Sequence, residues 1–101
     1  MGLTLWYTLD NLRTQENKKN MLRIELVYCA AWHYTDRAIS VMTDVLKEFE
    51  KQIENFGLVP SDGGRFEVTI NDKLVYSKLE TGRHVHPKEI NGLVRKFIEE
   101  N

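Results

Sequence analysis

The chain has 101 residues, of which 42% are hydrophobic and 29% are charged, with a formal net charge of −1. These values are typical of one soluble globular domain that is large enough to bury a core. The lack of excess positive charge argues against a protein dedicated to nucleic acid or to anionic membranes. No stretch approaches the roughly 20 apolar residues that span a bilayer, and the N-terminus lacks the segments of a secretory signal.

The sequence contains a single cysteine, Cys29. One cysteine excludes an internal disulfide and a zinc site built on several cysteines. Because a free thiol is most stable in a reducing compartment, we expect a cytoplasmic protein. We expect neither a bound cofactor nor a metal.

Residues 1–20 differ from the rest of the chain. Apolar residues alternate along the first part of this segment with the period of a β-strand, at Leu3, Leu5, Tyr7 and Leu9. A polar stretch from Asp10 to Asn20 follows. We assign residues 1–20 to an N-terminal extension and residues 21–101 to a folded domain.

Three interpretations of the extension stay open. It is an edge strand on a linker, or a flexible tail, or the product of a start codon placed too early, with Met21 as the true beginning. An unpaired alternating strand invites pairing between chains. Residues 3–9 are therefore also a candidate contact for a protein partner or a homodimer.

The folded domain begins with a predicted strand, Met21 to Tyr28, in which alternate residues are apolar. A helix follows, because apolar residues then recur at helical spacing, at Ala38, Val41, Met42, Val45, Phe49 and Ile53. Gly57 is predicted to end this helix as a left-handed C-terminal residue.

A short candidate strand, Phe56 to Val59, precedes residues 60–64, which resemble a loop in composition. A predicted hairpin comes next, because two alternating segments flank the turn Asn71–Asp72. Its strands are Arg65 to Ile70 and Lys73 to Lys78, and Leu74 and Tyr76 are expected on one face of the second strand with Val75 on the other.

Residues 80–86 are predicted to connect the hairpin to a last helix, with Pro87 in its first turn. His84 and His86 form a pair that suggests a metal site only weakly. His86 instead occupies a predicted helix N-cap, with Glu89 three residues later at capping-box spacing. The order β-α-β-β-β-α predicts a thioredoxin-like α/β fold, with a mixed four-stranded sheet and two helices.

Cys29 follows the first predicted strand and precedes the helical pattern. A helix N-terminus directly behind it would stabilise a thiolate, so Cys29 is the candidate nucleophile. The alternative is a small buried hydrophobic residue at a strand end. The expected site-lining residues are Tyr28, Ala30, Ala31, Trp32, His33 and Tyr34.

Two of these neighbours have alternative roles. His33 follows Cys29 by four residues, about one helical turn, and would assist proton transfer if it faced the thiol; otherwise it is a solvated surface residue. Trp32 would form an apolar wall beside the sulfur or present an aromatic surface to a partner. Tyr34 is interpreted as a packing residue.

The chain resembles the selenoprotein W-like (Rdx) family, in which a strand ends in Tyr-Cys-x-x-Cys or Tyr-Cys-x-x-selenocysteine. The matching positions near the cysteine are Tyr28, Cys29, Tyr34, Arg37, Ala38 and Phe49. Further matches are the loop and strand of residues 63–68, the returning strand 74–78 and the helix start 87–90. The resemblance covers roughly residues 22–99.

The resemblance implies thiol redox chemistry, with glutathione as a candidate co-substrate. Only Cys29 carries over, because Trp32 occupies the position of the second cysteine or selenocysteine. The resulting hypothesis is single-cysteine exchange with glutathione or a protein thiol, since an external thiol must resolve the mixed disulfide. The alternative is a non-catalytic thioredoxin-like protein-interaction module.

The tryptophan codon differs by one base from the codon for selenocysteine. Trp32 is therefore also a candidate substitution at an ancestral selenocysteine position.

Overall fold

The computed structural model describes residues 21–100, which contain four strands and three helices. The strands are β1 (Leu22–Cys29), β2 (Ile53–Ser61), β3 (Phe66–Ile70) and β4 (Lys73–Ser77); the helices are α1 (Thr35–Phe49), α2 (Lys78–Thr81) and α3 (Glu89–Glu100). The strands form one mixed sheet in the order β2-β1-β3-β4. β1 is parallel to β2 and antiparallel to β3, and β3 is antiparallel to β4. This topology confirms the predicted fold class.

β1 lies inside the sheet, between β2 and β3, and alternate residues of this strand are apolar. Leu22, Ile24 and Leu26 are buried, whereas Arg23 and Glu25 are exposed. One face of the sheet therefore meets the helices and the other face carries charged residues. Burial of a Leu or Ile side chain stabilises the fold by about 1.5–3 kcal/mol.

The long helices α1 and α3 contact each other. Their interface contains the buried Asn91, whose side-chain amide donates to the Asp44 carbonyl at 3.0 Å and to the Glu48 carboxylate at 2.8 Å. These bonds satisfy a polar group that would otherwise be costly to bury. The hydrophobic core lies between this helix pair and the sheet, and contains Ala38, Val45, Phe49, Phe66, Val68, Ile70, Ile90 and Val94.

The predicted end of the first helix was wrong. α1 ends at Phe49, a 3₁₀ turn covers Glu50–Gln52, and Ile53 begins β2. Ile53 continued the helical spacing by coincidence, and its branched side chain is buried in the sheet instead. Gly57 pairs with Glu25 inside β2 and ends no helix.

β2 is also longer than the sequence suggested, because Pro60 and Ser61 belong to it. β2 is an edge strand among the strands that the structure describes. A proline is tolerated at an edge, since its missing N–H removes no bond to a neighbouring strand.

Leu74 does not share one face of β4 with Tyr76 as predicted. Val68 pairs with Tyr76 and Thr69 pairs with Leu74, so Val75 is an extra residue between the two pairs. Such a bulge shifts the alternation by one position. Leu74 is consequently 43% exposed, whereas Tyr76 is buried.

The segment before the last helix contains more structure than a simple loop. α2 begins where the Ser77 hydroxyl accepts from the Glu80 N–H at 3.4 Å, and it ends at the left-handed Gly82. Lys88 has a φ of 67°, which no α-helical residue adopts. The last helix therefore begins at Glu89, after the predicted start at Pro87.

The predicted N-cap position of His86 was wrong, because Lys88 directly precedes the first helical residue and its carbonyl accepts from the Gly92 N–H at 3.2 Å. The predicted link to Glu89 is nevertheless present, since the Glu89 carboxylate accepts from the His86 N–H at 2.9 Å. Arg83 holds the same carboxylate through two bonds of 2.8 Å.

The predicted extension, its candidate strand at residues 3–9 and the polar stretch to Asn20 lie outside the described residues. The division at Met21 therefore stays a prediction. Among the described helices, none has the length and apolar character required to cross a bilayer.

Candidate functional site

Cys29 is the last residue of β1, and its backbone is held on both sides. Its N–H donates to the Arg65 carbonyl at 2.8 Å, and its carbonyl accepts from the Tyr34 N–H at 3.2 Å. The residue is 0% exposed. The thiol is therefore out of reach of a solvent-borne disulfide in this conformation.

The segment after Cys29 is a turn rather than the start of a helix. The five residues 30–34 separate Cys29 from Thr35, where α1 begins. His33 donates from its N–H to the Ala30 carbonyl at 3.1 Å and has a φ of 61°. The prediction of a helix directly behind the thiol was wrong, and the one-turn spacing from Cys29 to His33 does not apply.

Trp32 extends from this turn and is 59% exposed. Its ring lies against Gly64 in the loop between β2 and β3. A Cβ at Gly64 would lie only 2.7 Å from the ring carbon Cζ3, and Gly64 has a φ of +73°. A glycine is therefore required at this position both for the backbone and for the close approach of the ring.

Tyr34 packs in an aromatic cluster beneath the turn. Its ring centroid lies 4.6 Å from that of His84 and 6.5 Å from that of Phe66, with edge-to-face geometry in both pairs. The Trp32 ring meets Tyr34 at 6.1 Å, also edge to face. The Lys78 ammonium lies 5.8 Å from the Tyr34 centroid. These contacts agree with the packing role predicted for Tyr34.

His84 belongs to this cluster, although the sequence did not predict it there. Its Nδ1 is buried without a hydrogen-bond partner. Burial lowers the pKa of His84, and the positive charges of Arg37 and Lys78 lower it further. The spacing of His84 and His86 in the sequence suggests a metal site, but it does not predict the contact between His84 and Tyr34.

The predicted site residues therefore separate into a buried and an exposed group. Cys29 and Tyr28 are buried and Tyr34 is half-buried, whereas the remaining site residues are exposed: Ala30, Ala31, Trp32 and His33. The accessible chemistry at this end of β1 is an indole ring and an imidazole, whereas the Cys29 thiol is buried.

A cavity of about 390 Å³ lies nearby, between α1 and the segment that precedes α3. Its polar lining mixes basic and acidic side chains, and neither Cys29 nor Trp32 contributes to it; it includes Asp36, Arg37, Asp44, His86 and Lys88. Within residues 21–100, no group of three or more His, Cys, Asp or Glu side chains is arranged to hold a metal ion.

The mixed sheet, the covering helices and the cysteine at the end of β1 define a thioredoxin-like α/β domain. The model of the Rdx family matches residues 23–96, and the chain belongs to this family. The family is of the thioredoxin-like, redox type.

Two solved structures are similar to the chain. A selenoprotein W-related protein from Vibrio cholerae is 29% identical, with a TM-score of 0.75, over 78% of this chain and 99% of that one. A protein from Bordetella parapertussis is 25% identical, with a TM-score of 0.73, over 76% of this chain and 98% of that one. Comparison with curated proteins found no match.

Proposed function

We propose that this chain is a protein-interaction member of its redox-type family, with Trp32 as the central contact residue. One observation carries the proposal: the thiol of Cys29 is 0% exposed, whereas Trp32 at the family's second redox position is 59% exposed. The residue that a partner meets at this site is therefore an aromatic ring and not a sulfur nucleophile.

The setting of Trp32 supports a binding role. Exposed tryptophans contribute disproportionately to protein interfaces, because the ring combines a large apolar area with few rotatable bonds. Contact with Gly64 and Tyr34 restricts the ring before any partner arrives. Binding then costs less conformational entropy than it would with a freely rotating side chain.

A photo-crosslinking amino acid at position 32 tests the proposal, with position 79 as the matched control. Leu79 is 60% exposed and thus equally accessible. We expect a protein that crosslinks in cells from position 32 and not from position 79. Equal crosslinking from both positions would argue against a specific surface at Trp32.

The captured protein is then purified and titrated against the intact chain. We expect Trp32→Ala to weaken the Kd by about 30-fold, the effect of losing a contact worth about 2 kcal/mol, and Leu79→Ala to leave it unchanged. An unchanged Kd in Trp32→Ala would overturn the proposal.

Single-cysteine exchange at Cys29 is the second candidate function. It is favoured by the position of Cys29, which is the last residue of β1 and is followed directly by the exposed Ala30 and Ala31. A local opening of residues 30–34 would bring the sulfur to the surface. The Cys29 thiolate would then attack the glutathionyl sulfur of a glutathionylated partner protein, forming a Cys29–glutathione disulfide and releasing the partner's thiolate. A free glutathione thiolate would break that disulfide and restore the Cys29 thiolate, with glutathione disulfide as the product.

Intact-mass measurement after incubation with glutathione disulfide decides between the two candidates. If Cys29 performs single-cysteine exchange, the native chain should gain one glutathionyl group and Cys29→Ser should gain none. Modification that occurs only in denaturant would eliminate exchange at Cys29 and leave the interaction function in place.

A further inference from the structure

We propose that residues 3–9 add to the outer edge of β4 as a fifth strand that covers an apolar groove between β4 and α3. This inference is independent of the function proposed for Trp32, because the groove lies at β4 and the C-terminal half of α3, away from the Cys29 turn.

The groove combines an open strand edge with apolar side chains. β4 is the last strand in the order β2-β1-β3-β4, so its outer edge pairs with none of the strands that the structure describes. Beside it lies a cavity of about 200 Å³, lined by Lys73, Leu74, Val75, Leu93, Lys96, Phe97 and Glu100. Leu74 is 43% exposed, and Val75 and Leu93 are half-buried. An exposed edge with apolar neighbours is a surface that chains tend to cover.

Residues 3–9 have the pattern that such a groove requires. Leu3, Leu5, Tyr7 and Leu9 form one apolar side of an extended segment. Packed on the helix side of the sheet, this side would meet Val75 and Leu93. The segment contains no charged residue, whereas Asp10 follows it directly.

The connection to β1 favours an antiparallel arrangement. β4 runs in the same direction as β1, because each is antiparallel to β3. A strand antiparallel to β4 therefore ends beside Lys73, at the end of the sheet where β1 begins, which places Asp10 next to a lysine. The new strand would lie three strand spacings from β1, about 14 Å. Residues 10–21 can reach about 40 Å when extended, so the linker spans this gap easily.

Two competing sites fit less well. The opposite edge of the sheet is β2, where Pro60 lacks the N–H that an added strand would need. The β4 edge of a second copy would provide the same groove. A short linker, however, gives the chain's own segment a millimolar effective concentration, so the intramolecular contact is favoured at ordinary protein concentrations.

Hydrogen exchange followed by NMR on the full chain tests this inference, together with sedimentation to give the oligomeric state. We expect a monomer in which amides of residues 3–9 exchange at least about 10-fold more slowly than in an open segment. Leu5→Lys places a charge on the apolar side and should remove this protection. Thr4→Lys is the matched control, since it changes the adjacent residue on the other side and should retain it.

Three outcomes would overturn the inference. Fast exchange throughout residues 3–9 of the unmodified chain would show that the groove is not covered by this segment. A dimer that dissociates in Leu5→Lys but not in Thr4→Lys would assign the groove to a second copy. Equal loss of protection in Leu5→Lys and Thr4→Lys would show that the apolar side of residues 3–9 is not the side that packs on the groove.

Discussion

Gly63 and Gly64 illustrate how one loop combines backbone and side-chain requirements. Both residues have positive φ, of +70° and +73°. A Cβ at Gly63 would have no heavy atom within 4 Å, whereas a Cβ at Gly64 would collide with the Trp32 ring. A larger residue at either position would therefore strain the backbone, but only at Gly64 would it also collide with Trp32.

Alanine at each position separates the two effects. We expect Gly63→Ala and Gly64→Ala each to lower the free energy of unfolding by about 1 kcal/mol, because alanine is strained at positive φ. Only Gly64→Ala should displace the Trp32 ring and shift its fluorescence to longer wavelength. The measurement uses a Trp6→Phe background, since the chain has two tryptophans. Identical spectra in both variants would contradict the contact.

His84 makes stability depend on pH near neutrality. Burial first, and then the charges of Arg37 and Lys78, lower its pKa below the usual value of about 6.5. The unfolded chain consequently binds a proton at a pH where the folded chain does not, so stability falls as the pH drops below about 6.5. We expect urea unfolding to show this decrease between about pH 7 and pH 5, and His84→Phe to diminish it.

The exposed His33 provides the control for this experiment. His33→Gln removes an imidazole without disturbing the aromatic cluster around Tyr34, and should retain the decrease. If His84→Phe and the unmodified chain lost stability equally between these pH values, the half-buried imidazole of His84 would not be the cause.

At the scale of the element, the start of α3 depends on one carboxylate. Glu89 accepts from Arg83 and from the His86 backbone, and these bonds lower its pKa from 4.5 to about 2, with the Arg83 hydrogen bond as the largest cause. A lowered carboxyl pKa contributes stability above about pH 4.5 that is lost as the pH falls towards 2.

Glu89→Gln should therefore destabilise the chain by about 1 kcal/mol at pH 7, because a neutral amide replaces the charged acceptor of the Arg83 and His86 hydrogen bonds. Because the folded carboxylate is protonated only near pH 2, the difference should shrink as the pH falls from about 4.5. Thermal unfolding of Glu89→Gln and of Glu99→Gln, which alters an exposed residue on the same helix, measures the effect. Equal losses in both variants would exclude a specific role for Glu89.

The elements themselves were largely predictable, because most of them follow a simple period. The alternation in β1 and β3 and the helical spacing up to Phe49 gave the right structure. The errors at Ile53 and Leu74 arose where long-range pairing outweighed local pattern, through the β1–β2 contact and the bulge at Val75. Neither contact can be derived from residues that are close in sequence.

The site was less predictable than the fold. The sequence located Cys29 at a strand end and Trp32 close behind it, but exposure depends on packing between distant parts of the chain. Gly64 contacts the Trp32 ring and His84 contacts the Tyr34 ring, and neither contact follows from local sequence. The resemblance supplied the family, which the matched residues 23–96 confirm.

At the scale of the whole molecule, the described residues form one sheet with a hydrophobic core of its own. Each of the four strands within residues 21–100 pairs with another strand of this range. We predict that a chain starting at Met21 unfolds in one cooperative transition, with circular dichroism and fluorescence changing together. Non-coincident transitions would contradict the predicted division at Met21.

Asn71 ties the β3–β4 hairpin to the first strand. Its side-chain oxygen accepts from the Arg23 N–H at 2.8 Å, across 48 positions of sequence, and its own N–H donates to the Arg23 carbonyl at 2.9 Å. A slip of one residue between β1 and the hairpin would turn the buried side chains of β3 towards solvent. We expect the hairpin, whose contacts are local, to close before it docks on β1, because pairing between residues distant in sequence is slower. The two hydrogen bonds of Asn71 therefore stabilise the native alignment of the hairpin on β1 and are lost in a misaligned one.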